Sequence, residues 1–306
     1  MKYTDIRGVN ASRMMMGCMR IADKPLEQIE RLIVEAVRAG VNAFDLADIY
    51  GKGDCERVFG VAVKDLKLNR EDYVVQTKCG IRIADFGAYY DFSREHILTS
   101  VENSLKRMNT EYIDVLLLHR QDALIEPEEV ASAFAKLRAA GKVRAFGVSN
   151  ATALQIQTLE KYGVHVAVNQ MQFSLGHTLL VDTGLYVNND QVEAATRAGD
   201  TLEYCRLNNI TLQAWSPLQH GFFGGMFIGN ENFPALNAEL DRLAEKYNVT
   251  PAAIACAWIL RHPAKMQVVT GTTSPEHMRD MCAAAEVDLT REEWYSLYTA
   301  TGKSIL

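Results

Sequence analysis

Proline is scarce in this chain, seven in 306 residues, and no stretch rich in proline, glycine and serine interrupts it. With no linker to mark a boundary, residues 1–306 read as one domain. Runs of lysine and arginine are missing too: 32 basic against 38 acidic residues leave a net charge of −6, which excludes a nucleic-acid surface. No segment approaches the roughly 20 apolar residues of a membrane span. The opening MKYTDIRGVNASRMMMGCMR lacks the continuous apolar region of a signal peptide. Six cysteines, at positions 18, 55, 79, 205, 256 and 282, form no CxxC pair and no metal-type spacing. Free thiols, no metal site and a soluble, cytoplasmic protein are therefore expected. Cys79 reads as core although it follows Lys78, because adjacent strand residues point to opposite faces.

What is present is an alternation. Apolar residues make up 48% of the chain, enough for a large core. Short apolar runs alternate with longer amphipathic stretches from about residue 14 to residue 285. Eight strands are predicted: Met14–Gly17, Ala43–Asp45, Tyr73–Thr77, Ile113–Leu118, Val143–Val148, Val166–Asn169, Thr211–Ala214 and Met266–Val269. Several are apolar nearly throughout, as parallel strands buried on both faces require. Helical patterns lie between them, such as Leu26–Ala39 ending at Gly40, and Arg94–Met108 after Ser93. Eight repeats with short connections predict a closed (β/α)8 barrel, and no GxGxxG follows any strand to suggest a dinucleotide-binding open sheet. Two helices fall outside the count, one starting at Thr250-Pro251 and one after Thr290, and both are expected on the outside. Three long connections follow strand carboxyl ends, Gly80–Phe92, Phe173–Gly199 and Gln219–Phe233, and would wall a substrate pocket. They carry aromatic side chains but no clustered cation for an acidic substrate.

The chemistry concentrates at the ends of strands two, three and four, which deliver Asp45 with Tyr50, then Lys78, then His119. A free phenol with a pKa near 10 is a slow acid at neutral pH, and a lysine ammonium beside it would lower that value. A buried lysine needs a carboxylate to stay charged, which Asp45 supplies. His119 could then hydrogen-bond a carbonyl oxygen in the same cavity. Such a set protonates an oxygen while something else attacks the carbon. Asp48, between Asp45 and Tyr50, reads as a turn residue, and His165, His177, His220 and His262 as structural.

FDLADIYG, QTKCG and LLLHRQD resemble the corresponding stretches of the aldo-keto reductases, NAD(P)H-dependent enzymes on a (β/α)8 barrel, and the resemblance runs essentially the whole length. It implies a catalytic tetrad of Asp45, Tyr50, Lys78 and His119, with Tyr50 as general acid in hydride transfer to an aldehyde or ketone. It also implies that Ser149, Asn150 and Gln170 hold the nicotinamide carboxamide, that Phe173 stacks on the ring, and that Gly17 and Met19 lie beside it. Asp45 borders the same cofactor face. Ser216 and Leu218 would contact the pyrophosphate. The helix opening at Ser274-Pro275 could receive a phosphate, together with Gly271, Thr272, Thr273, His277 and Arg279. The family's clearer NADPH-binding members carry a lysine or arginine early in this loop, where this chain has Gly271-Thr272-Thr273. NADPH is nevertheless the expected cofactor, with NADH as the alternative, and a small carbonyl compound the expected substrate.

Two other readings stay open at this stage. A Schiff-base lyase would use Lys78 as nucleophile; borohydride trapping at Lys78 would reveal it. A nucleotide-binding regulatory protein, like the potassium-channel β subunits of similar fold, would bind NADPH without oxidising it against any aldehyde.

Overall fold

A computed structural model describes residues 1–187 and 199–305. The chain begins with an antiparallel hairpin, β1 (Tyr3–Ile6) and β2 (Val9–Ser12), which the sequence reading had not identified. Eight parallel strands then close into a barrel: β3 (Met14–Gly17), β4 (Ala43–Asp45), β5 (Val74–Cys79), β8 (Ile113–Leu118), β9 (Val143–Ser149), β10 (Val166–Gln172), β11 (Thr211–Trp215) and β12 (Gln267–Thr270). A second hairpin, β6 (Ile81–Ala84) and β7 (Gly87–Tyr90), follows β5 and occupies the connection expected to be a loop.

Three strands match their predicted bounds, and others run one to three residues further at the carboxyl end: β10 passes the predicted Asn169 to reach Gln172. Parallel pairing with both neighbours carries the ladder beyond the apolar run, so polar residues facing the mouth still belong to the strand. Alternation then sorts the side chains. In β5, Val74, Gln76 and Lys78 face the barrel interior while Val75, Thr77 and Cys79 face the helices, which places buried, free Cys79 in the outer core as expected.

The interior is layered. At the bottom Met15, Ala43, Val74 and Val115 pack against Ile6 and Val9 of the first hairpin, which closes that end. Above lies a ring of buried glutamines. Gln76 donates to Gln213 (2.8 Å) and Gln170 to Gln213 (3.0 Å), while Gln213 donates to Gln76 and Gln267 (2.9 Å each). The register sets this up, because Gln213 pairs with Gln170 on one side and with Gln267 on the other. The reacting groups stand on this ring.

Outside run α1 (Leu26–Arg38), α2 (Asp54–Asp65), α3 (Arg94–Met108), α4 (Pro127–Ala139), α5 (Ala153–Lys161), α6 (Leu179–Leu185), α7 (Thr201–Leu207), α8 (Pro234–Tyr247), α9 (Pro251–Arg261), α10 (Pro275–Cys282) and α11 (Arg291–Ala300). In α1 the apolar residues Ile29, Leu32, Ile33 and Ala36 recur at helical spacing and are buried together. Ser93 caps α3, its side chain accepting from His96 N, and Thr290 forms the anticipated capping box with Glu293 ahead of α11.

Of the eleven described helices three exceed one per strand, α6, α8 and α11, and the helix at Thr250-Pro251, expected outside, is not among them. α9 packs directly on β12 and is buried along Ala253–Leu260, so it belongs to the barrel layer. The outer helix in its place is α8, which packs on α9 and α11. Its turn-rich approach after Gly229 hid it, whereas the nearly all-apolar α9 was already a sign of burial on every side. The long connection Phe173–Gly199 contains α6; its residues 188–198 lie outside the described residues.

Candidate active site

Each member of the expected set is placed by a strand end. Asp45 and Lys78 are the last inward-facing residues of β4 and β5. Beyond β4 the backbone continues the ladder, with Leu46 N donating to Gln76 O and Asp48 N to Lys78 O, and then turns through a short 3-10 helix over Tyr50–Gly53. Gly53 ends this turn at φ 95°, a left-handed conformation that disfavours other residues, and a Cβ there would lie 2.8 Å from Arg107 Cδ. That close approach sets the angle at which α2 leaves the turn.

The ammonium of Lys78 is fully buried. It donates to Asp45 Oδ1 (2.8 Å) and Oδ2 (2.7 Å) and to the Leu46 carbonyl (2.7 Å), with the Tyr50 hydroxyl at 3.3 Å. Asp45 Oδ1 also accepts from Gln76 (2.6 Å) and Gln170 (3.0 Å). Burial pulls the ammonium's pKa down, but the charges and hydrogen bonds of Asp45 and Tyr50 outweigh it, and the net direction is upward. A lysine held in this way offers no neutral amine for imine formation. The ring of His119 meets that of Tyr50 edge-on, centroids 5.6 Å apart. Burial, then the positive charges of Lys78 and Arg120, push its imidazole well below the usual histidine range, so it is neutral.

One expectation reverses. Burial raises Tyr50 above the ordinary phenol value, Lys78 opposing and Asp45 reinforcing that direction. Lys78 limits the rise rather than producing a fall, because it is closer to Asp45 than to the phenol and most of its field is neutralised there.

Asp45, Tyr50 and His119 line one end of a cavity of about 760 Å³, with Lys78 buried behind them. It extends past the ends of β9 and β11 to the loop after β12 and the first turns of α10. Trp215 stands in its wall, its Nε1 donating to Asn150 Oδ1 (3.1 Å).

A family model described as "Aldo/keto reductase family" matches residues 13–300. The chain belongs to that family. It is 35% identical over 307 residues to "6-dehydroglucose reductase" of Agrobacterium fabrum, covering 96% of each chain. It is 33% identical to "Oxidoreductase YdhF" of Escherichia coli, covering 96% of this chain and 95% of that one. Among solved structures, a thermostable aldo-keto reductase, Tm1743, crystallised with the inhibitor epalrestat, superposes with a TM-score of 0.78 at 25% identity, over 98% of this chain and 100% of that one. The protein is thus an oxidoreductase that reduces carbonyl groups with a nicotinamide cofactor.

Most of the cofactor residues expected of this aldo-keto reductase line the cavity: Gly17 and Met19; Ser149, Asn150 and Gln170; Ser216 and Leu218; and Gly271, Thr272, Thr273 and His277. Gly17 has no room for a side chain, since a Cβ would lie 2.5 Å from Thr270 O across β12. Both protons of the Gln170 amide are committed, to Asp45 and Gln213, so Gln170 offers a ligand only its carbonyl oxygen. The Ser149 hydroxyl donates to Gln170 O (3.0 Å) and accepts from Asn150 (2.8 Å).

Two expected residues are elsewhere. Phe173 is fully buried against Trp258, centroids 5.1 Å apart, and cannot stack on a ligand. Counting by twos from inward-facing Gln170 already puts residue 173 on the outer face, and the same count from Gln213 puts Trp215 inward. Trp215 is the aromatic residue the sequence reading missed. Arg279 faces α1, 4.0 Å from Glu35, whereas His277, Asp280 and Met281, three and four residues apart, share the cavity face of α10. Gln76, Gln213 and Gln267 were also missed; their signal was a glutamine inside an otherwise apolar strand. Asp48, read as a turn residue, is largely buried near Glu56, with Oδ1 unpartnered among the described residues.

Proposed function

We propose that Tyr50 is the general acid of this reductase, donating its proton to the oxygen of an aldehyde or ketone. The observation that carries the reading is the relay itself: a phenol 3.3 Å from an ammonium that both oxygens of Asp45 hold, opening on the cavity. Lys78 stabilises the phenolate left after transfer, and Asp45 with the glutamine ring keeps Lys78 charged and in place. Neutral His119 can donate one hydrogen bond to the same oxygen, orienting it toward Tyr50. The bound nicotinamide supplies the hydride.

The cavity suits such a group on its own features. It holds Oε1 of Gln219, unpartnered among the described residues, and reaches the amino end of α10, where Ser274 caps the helix by accepting from His277 N (3.2 Å). Ser149, Asn150 and the Gln170 oxygen would meet the carboxamide, and Trp215 takes the stacking role first given to Phe173. At the α10 end Thr272, Thr273 and His277 offer hydroxyls and an imidazole to a 2′-phosphate, without lysine or arginine. We therefore expect NADPH to bind with NADH within about tenfold of it, since a single exposed ionic contact is worth only about 1 kcal/mol. The free, buried thiols fit a reducing compartment, and the cytoplasm is our placement.

Tyr50→Phe is the test. It should bind NADPH as the wild type does, measured by quenching of tryptophan fluorescence, and lose about 100- to 10,000-fold in carbonyl reduction. Turnover within a few-fold of wild type would remove Tyr50 from the role.

A further inference from the structure

The reacting end of the cavity holds a cation that the tetrad does not use. Arg120 directly follows His119, is partly buried, and lines the cavity alongside Tyr50 and His119. Its guanidinium carbon lies 5.5 Å from the centroid of Trp215 and 5.7 Å from that of Phe222. Its charge is felt by both reacting rings, opposing the rise at Tyr50 and deepening the fall at His119.

Near the mouth, Lys78 is paired with Asp45, Arg107 with Glu56 and Arg82 with Asp91, while Arg20, which also lines the cavity, shares with Arg120 the lack of a carboxylate at ion-pair distance among the described residues. Two carboxylates line the cavity, and Asp45 is held by Lys78 while Asp280 belongs to α10. Phe223 packs against the rings of both Trp215 and Phe222, and Ile49 and Met226 add apolar surface to the same cavity. An unpaired guanidinium between aromatic faces, in a cavity of this size, is strongest toward a planar or tetrahedral oxyanion that can accept two of its N–H groups.

We propose that Arg120 is the substrate-selecting residue of this enzyme, and that its preferred substrates are small aldehydes or ketones carrying an anionic oxyacid group, a carboxylate or a phosphate. The anion pairs with Arg120 while the carbonyl oxygen lies between Tyr50 and His119. Arg20, after β3, adds positive charge at the cavity rim. The long loops carry no clustered cation, and the charge is supplied instead by Arg120 at the strand end, beside His119. The proposal rests on the reductase reading, and the experiment separates the two.

The holoenzyme is assayed with two matched pairs: succinic semialdehyde against its neutral amide, 4-oxobutanamide, and glyceraldehyde 3-phosphate against glyceraldehyde. Wild type should show kcat/KM at least about 100-fold higher for the charged member of one pair, and which pair responds tells carboxylate from phosphate. Arg120→Gln should abolish the preference, the charged-to-neutral ratio of kcat/KM falling to within about threefold of one, with the loss on the charged substrate mainly in KM. Arg120→Lys should recover part of the loss, since charge is kept and the fork is not. Equal rates within both pairs in wild type, or a loss in Arg120→Gln that is the same for charged and neutral substrates, overturns the proposal, the second result marking Arg120 as a packing partner of Trp215. Failure of the reductase reading looks different: no oxidation of NADPH or NADH with any of the four compounds.

Discussion

Asp48 lets burial be weighed against ionisation. Its carboxyl lies under the Tyr50 turn with Oδ1 unpartnered, and burial, reinforced by the nearby Glu56 carboxylate and opposed by Arg107, raises it from 3.8 to about 7. In the unfolded chain it ionises near the ordinary value. Between about pH 4 and pH 7 the native state therefore keeps a proton that the unfolded state releases. Its contribution to stability is complete below pH 4 and is lost as pH rises through 7. At about 1.36 kcal/mol per pH unit the loss has a ceiling of ~4 kcal/mol, and water reaching a partly exposed carboxyl reduces it to about 2.

Asp48→Asn keeps the shape and abolishes the titration. Urea unfolding at pH 4.5 should give the two proteins similar stability, and at pH 8 the variant should be more stable by about 2 kcal/mol, or roughly 3 °C in Tm. Taking the difference between the proteins at each pH cancels every other titrating group. A difference that does not change with pH, or a variant less stable at pH 8, would refute the reasoning and mean that Asp48 is ionised and satisfied in the fold.

Other outcomes follow from the same geometry. Because burial holds Tyr50 above the ordinary phenol range and His119 neutral, kcat/KM for carbonyl reduction should stay level from about pH 6 to 9, while the reverse oxidation of an alcohol, which needs the phenolate, should climb across that range. A falling limb in reduction centred near pH 7 or 8 would show instead that Lys78 lowers the phenol. Gly60→Ala would place a Cβ 2.5 Å from the Met108 carbonyl where α2 crosses α3, and should cost about 1–3 kcal/mol in a denaturant titration, with little change in kcat.

The site was legible in part because its main residues end short apolar strands. Asp45, Lys78 and His119 each interrupt such a run at its carboxyl end, and in a closed parallel barrel all those ends meet at one mouth, so local pattern and chain order placed them together. The errors share a cause. Phe173 and Arg279 were assigned by position along a segment, whereas strand alternation turns the first toward Trp258 and helix rotation turns the second toward Glu35. The two hairpins lacked a strong period, and α8, although its buried Leu236, Leu240, Leu243 and Ala244 recur at helical spacing, was hidden behind its turn-rich approach.

By itself, the amino-acid order determined the eight-fold βα repeat, the layer to which each strand residue points, and the reacting groups at the strand ends. These depend on periodicity and on neighbours in the chain. Which charges neutralise one another, and which stay available, was decided only by tertiary structure. Lys78 gives most of its field to Asp45, Arg107 is taken by Glu56, Asp48 is left with an unpartnered oxygen, and Arg120 is left facing aromatic rings. The physical reason is that desolvation and Coulomb energies depend on distance and burial across strands and helices far apart in sequence.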